Sequence, residues 1–144
     1  MTFVEALQTA LAAEHAAVYV VAALGAQTSQ SGTPRLFADL SAAYADHRAR
    51  RDQLVAMVRD EGAEPVAAEP AYELPVALGS VDVVTRRALQ VERACAETYA
   101  YLVANSSGPR RRWAIEVLTK TAVRELAFRG TPEMFPGSDE YADR

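Results

Sequence analysis

The 144-residue chain carries a net charge of −4, is half apolar and has a single cysteine, Cys95. One domain with a real core fits this length. An internal disulfide is excluded, nucleic acid is a poor partner for the overall charge, and no apolar run approaches the roughly 18 residues of a membrane span.

The first predicted helix opens at Thr2, where Thr2 and Glu5 have the spacing of a capping box, and continues to about Thr28. Such a start is unlike a basic region followed by an apolar stretch, so no signal peptide is read, and a lone cysteine agrees with a cytoplasmic setting. After Ser29-Gln30-Ser31-Gly32, Thr33-Pro34 supplies an N-cap and a proline at the first helical position. Helix two continues to about Glu61 and stops at Gly62. From Ala63 to Gly79 the periodicity disappears, and Pro65, Pro70 and Pro75 forbid a continuous helix. Ser80 and Asp82 restart a helix that lasts to about Asn105; Ser106-Ser107-Gly108-Pro109 turns into helix four, which ends at Gly130. Residues 1–130 thus read as one helical domain, and residues 131–144 as a polar, loosely ordered tail.

Loop lengths set the topology. Short turns make helices one and two, and three and four, antiparallel pairs. A helix of about 26 residues is roughly 39 Å long. Some 17 extended residues reach about 56 Å, enough to run the length of the bundle. The expected fold is all-α: a four-helix bundle of two antiparallel pairs joined by a long crossover, the ferritin-like arrangement.

Polar residues interrupt the apolar stripes. Leu7, Leu11, Glu14, Val18, Val21 and Gly25 recur at inward spacing, and the neighbours of Glu14 one turn away are all apolar. A carboxylate there costs several kcal/mol in desolvation unless a cation, metal or donor compensates it. Glu92 lies among Ala88, Leu89, Cys95 and Ala96, and His47 lies on the stripe Leu36, Leu40, Ala43, His47, Leu54. Asp46, beside Asp39 and Arg50, reads as surface. The basic clusters at Arg48, Arg50, Arg51 and at Arg110 to Arg112 read as solvated helix surface. His15 reads as a flank or interface residue, and Cys95 as a small buried hydrophobe.

The segments Leu11-Ala-Ala-Glu14-His15-Ala-Ala-Val-Tyr19, Ala43-Tyr44-Ala-Asp46-His47-Arg48-Ala-Arg50-Arg51 and Pro70-Ala-Tyr72-Glu-Leu-Pro75 resemble the ferritin-like domains of unknown function of high-GC bacteria. The resemblance covers nearly the whole chain. A genome of that kind also suits the abundance of alanine and the presence of a single lysine, Lys120. The wider superfamily implies a di-iron centre built from one Glu on each of two helices and a Glu-x-x-His pair on each of the others. Glu14, Glu92 and His47 match three of those six ligands. Tyr44 stands at the second-helix glutamate position, and Thr121 and Arg124 stand at the helix-four pair. Two ferrous ions bring four positive charges against two negative ones, and an arginine near the pocket worsens that balance.

Two outcomes stay open. In the first there is no cofactor: Arg51, Arg124, His47 and the hydroxyls of Tyr44 and Tyr99 satisfy Glu14 and Glu92, and the chain is an oligomerising or ligand- or partner-binding module. In the second, Glu14, His47 and Glu92 hold one iron, manganese or zinc ion for oxidase or metal-handling work. No Ser/His/Asp set, phosphate loop or paired-cysteine motif marks another enzyme class. Helix one is apolar on more than one face, which predicts a homodimer with cover from a partner's helix two or crossover, Tyr72 and Leu74 included.

Overall fold

The computed structural model describes residues 2–129, 134–136 and 138, which form four α-helices and no strand. They are α1 (Phe3–Gly25), α2 (Pro34–Asp60), α3 (Val81–Ala104) and α4 (Gly108–Arg129). At Thr2 the hydroxyl accepts the Glu5 N–H at 3.1 Å, and the Thr2 N–H donates to the Glu5 carboxylate at 2.6 Å, the reciprocal capping box. Hydrogen bonding to Thr2, first from its backbone N–H and then from its side chain, holds the Glu5 carboxyl below its ordinary pKa.

α1 stops at Gly25, three residues short of the expected end. The N–H groups of Gln27 and Thr28 turn back to the carbonyls of Leu24 and Gly25, and the Thr28 hydroxyl bonds Gly25 as well. These tighter bonds close the helix before Thr28. Thr33 does not cap α2 with its side chain. Its hydroxyl accepts the Ser29 N–H at 3.1 Å instead, which ties the turn together. The stop at Gly62 is as expected: Gly62 has φ 76°, its N–H bonds Arg59 O, and the Ala63 N–H bonds Val58 O. This left-handed closure suits glycine, because a side chain there is strained. Ser80 caps α3 by accepting the Val83 N–H.

The segment between α2 and α3 follows α1. Gln8 holds it twice, donating to Glu64 O at 2.7 Å and accepting the Val66 N–H at 2.8 Å. His15 donates from Nε2 to Val66 O at 2.9 Å, and the rings of Tyr19 and Tyr72 meet at 5.5 Å. His15 is therefore a pin for this connection. The connection thus lies along α1 at Gln8, His15 and Tyr19, while Ala12, Tyr19 and Ala22 stay exposed.

Leu7, Leu11 and Leu24 of α1, Leu40 and Leu54 of α2, and Leu102 of α3 fill the core. Each contributes on the order of 1.5–3 kcal/mol by leaving water. By length and composition α1 also passes as a membrane span, with a mean hydropathy of 1.4 over its best window. A core helix has the same character, and nine residues of α1 are buried in this fold. Of the expected C-terminal tail, residues 131–133 and most later positions lie outside the described residues, as does Gly130 before it; within the tail Met134 and Phe135 are exposed.

Candidate functional site

Each of the four helices sends polar groups to one buried place. Glu14 of α1, His47 of α2 and Glu92 of α3 are all fully buried and in contact. His47 stands between the two acids: its Nδ1 is 2.5 Å from Glu14 Oε2, and its Nε2 is 2.9 Å from Glu92 Oε1. Because both nitrogens face carboxylates, the doubly protonated ring, a donor on each side, fits best. Burial opposes that charge, but Glu14 and Glu92 outweigh it and raise the His47 pKa to about 9. The other oxygen of Glu14 accepts the Tyr99 hydroxyl at 2.6 Å. Burial, then the neighbouring Glu14, pushes the Tyr99 phenol well above its ordinary pKa, so it remains a donor.

The Tyr99 ring is fixed by an edge contact with Trp113 at 5.9 Å and by the Arg50 guanidinium 6.0 Å from its centroid. Arg50, which reads as surface in the sequence, is only 4% exposed and donates from Nη1 to the Thr121 hydroxyl at 3.1 Å. Glu125, on the same face of α4, is 1% exposed and was not singled out by the sequence. Regular spacing carried both signals: Ala43, His47, Arg50 and Leu54 continue one stripe, and Val117, Thr121 and Glu125 another.

Among the four residues named as candidates for compensating the acids or contacting a ligand, Tyr99 and Arg124 reach the site. Arg124 Nε is 3.9 Å from Glu92 Oε1, and its Nη2 bonds Asp46 at 2.5 Å. Asp46 is thus half exposed but paired with a site residue. Arg51 does not take part: it lies one residue past the inward stripe and pairs with Asp52 on the surface at 2.8 Å. Tyr44 sits in the groove between α1 and α2 with Val21, Gly25 and Phe37, under the Arg48 guanidinium.

Cys95 lies one turn after Glu92 and is buried with a free thiol. One ligand atom from each of Glu14, His47 and Cys95 falls within 4.8 Å of the others. Burial, then the charges of Glu14 and Glu92, keeps the Cys95 thiol well above its ordinary pKa. Glu92 Oε2 is buried without a hydrogen-bond partner. Among the acids Glu14, Glu92 and Glu125 stand His47, Arg50 and Arg124, the last shared between Glu92 and the half-exposed Asp46.

A di-iron centre does not fit these residues. At the ligand positions that the ferritin-like resemblance implies, Thr121 is engaged by Arg50, Arg124 replaces the expected histidine, and Tyr44 brings no carboxylate. The guanidinium charges occupy space and potential that a second cation would need.

Four α-helices around a buried Glu/His/Cys cluster therefore define the class. The chain belongs to the family described as a domain of unknown function (DUF4439), whose profile matches residues 6–140. It is also similar to a solved structure, a conserved hypothetical protein, rv2844, from Mycobacterium tuberculosis. The identity is 28%, the match covers 88% of this chain and 87% of that one, and the TM-score is 0.78. That source agrees with the high-GC bacterial character of the sequence. No protein of curated function matches the chain.

Proposed function

We propose that this protein is a ferritin-like helical-bundle module without a complete di-iron centre, acting by oligomerisation or by binding a ligand or partner. The order of contacts supports the ferritin-like connectivity. Val21 and Gly25, late in α1, share a groove with Phe37 and Leu40, early in α2. Gln53, late in α2, and Glu61, just past its end, meet Trp113 and Arg110, early in α4. The segment after α2 retraces α1 from Gln8 to Tyr19. Together these contacts support a bundle with antiparallel neighbours, in which α2 and α3 run parallel across a long connection.

The observation that carries the functional half is Arg124 beside Glu92 at the place of a helix-four ligand. A fixed cation there does the neutralising that a metal does elsewhere, without redox chemistry. A homodimer is part of this reading, with the partner surface on α4, where Ile115, Val123 and Leu126 are exposed. Anaerobic loading with ferrous iron, followed by air, tests it. Neither two tightly held irons per chain nor oxygen uptake above the protein-free blank is expected, and either result overturns the proposal.

A second reading, a metal-binding protein with a reduced site of Glu14, His47 and Glu92, is favoured by one observation. Glu14, His47 and Cys95 lie close enough to share an ion.

A further inference from the structure

We propose that Glu14, His47 and Cys95 form a mononuclear site for one thiophilic divalent cation, with zinc the best match, and that Glu92 and Tyr99 act as its supporting shell. The inference deepens the metal-binding reading and keeps the dinuclear centre absent. It departs from a Glu14, His47 and Glu92 ligand set because of the ring geometry. Glu14 is on Nδ1 of His47 and Glu92 is on Nε2, at opposite edges of the imidazole. One ligand atom from each of Glu14, His47 and Cys95 lies within 4.8 Å of the other two, a grouping that does not include Glu92.

The remaining partners are those that a metal site needs. A ligating histidine commonly donates its other N–H to a carboxylate, which fixes the ring and raises its basicity; Glu92 Oε1 at 2.9 Å from Nε2 does this here. A ligating carboxylate is itself hydrogen-bonded, and the Tyr99 hydroxyl holds the second Glu14 oxygen at 2.6 Å. The three donors come from α1, α2 and α3, so the ion is held by the packed core and not by a loop. An imidazole, a thiolate and a carboxylate leave a fourth tetrahedral position for water, the pattern of an open zinc site.

Charge permits the exchange. The ion replaces the proton between His47 and Glu14 and the proton of the Cys95 thiol, both of which leave to solvent. Two positive charges leave and two arrive, so the balance with Arg50, Arg124 and Glu125 is undisturbed.

Cobalt(II) and zinc added to the tag-free, chelator-treated full chain test this. One equivalent of cobalt is expected to bind and to give a sulfur-to-cobalt charge-transfer band in the near ultraviolet, displaced by one equivalent of zinc. Cys95→Ser is expected to lose the band, and Glu92→Gln to weaken zinc by roughly 10–100-fold at unchanged stoichiometry. Failure of the wild-type chain to bind cobalt, or binding with no charge-transfer band, overturns the thiolate site whatever the variants do. Those results leave the absence of a di-iron centre standing. Two equivalents bound per chain overturn the site and that absence together.

Discussion

His47 Nδ1 lies 2.5 Å from Glu14 Oε2, with both side chains fully buried. A contact this short inside the core is strong only while the ring keeps its charge, and this makes the metal-free fold sensitive to alkali.

The sign follows from the raised His47 pKa of about 9 against an ordinary value of 6.5. The folded state holds the proton more tightly than the unfolded chain. Its contribution is therefore complete below about pH 6.5 and is lost as pH rises through about 9. A difference of that size corresponds to about 3 kcal/mol. Chemical denaturation of chelator-treated protein from about pH 6 to about pH 9 should show this decline, and His47→Gln should flatten it. Above that range Cys95 and Tyr99, whose pKa values are also raised in the fold, add to the loss. A wild-type curve that is level between pH 6.5 and 9 contradicts the doubly clamped imidazolium.

Tyr99→Phe isolates the neighbouring bond. The ring keeps its edge contact with Trp113 and its place under Arg50, and only the hydroxyl donated to Glu14 is lost. Hydrogen bonds to charged groups contribute about 1.5–3 kcal/mol, so a loss of that order at pH 7 is expected. An unchanged denaturation midpoint in the variant would show that Glu14 finds another donor.

Glu14→Gln removes the charge and keeps the shape. Its amide can still meet Tyr99 or His47, but the imidazolium then has one carboxylate in place of two. Destabilisation of the metal-free fold by about 1–3 kcal/mol is expected at pH 7. A chelator-treated variant that melts higher than the wild type would mean that Glu14 is held uncompensated, and that His47 is not its partner.

Most of this site was legible in the sequence because a carboxylate or imidazole on an apolar stripe has few explanations. Glu14, His47 and Glu92 were found by that test, and the structure brings them together. The same stripe, followed one step further from His47, lands on Arg50, whereas the sequence reading assigned Arg51 to the site. The two arginines are adjacent but point about 100° apart round the helix, so one is buried against Thr121 and the other pairs with Asp52 outside. Glu125 was hidden for another reason. On α4, charged residues fall all round the helix, and the inward acid does not stand out by composition. The grip of Gln8 and His15 on the α2–α3 connection was beyond reach, because backbone acceptors in an irregular segment leave no periodic trace.

Arg51 and Arg124 should differ sharply in what their removal does to the fold. Arg51→Ala removes a neighbour-to-neighbour pair in which Asp52 is mostly exposed, and such surface pairs contribute little. A change within about 0.5 kcal/mol is expected. Arg124→Ala is different, because its guanidinium is largely buried and reaches Asp46, Asp39 O and the neighbourhood of Glu92. Asp46 can return to water, but the fully buried Glu92 cannot. It is left with His47 alone, at an expected cost of about 1–3 kcal/mol. Paired denaturation curves of the two variants at pH 7 decide the matter. An Arg51→Ala loss equal to or larger than that of Arg124→Ala would return Arg51 to the site and remove Arg124 as the cation that stands in for metal.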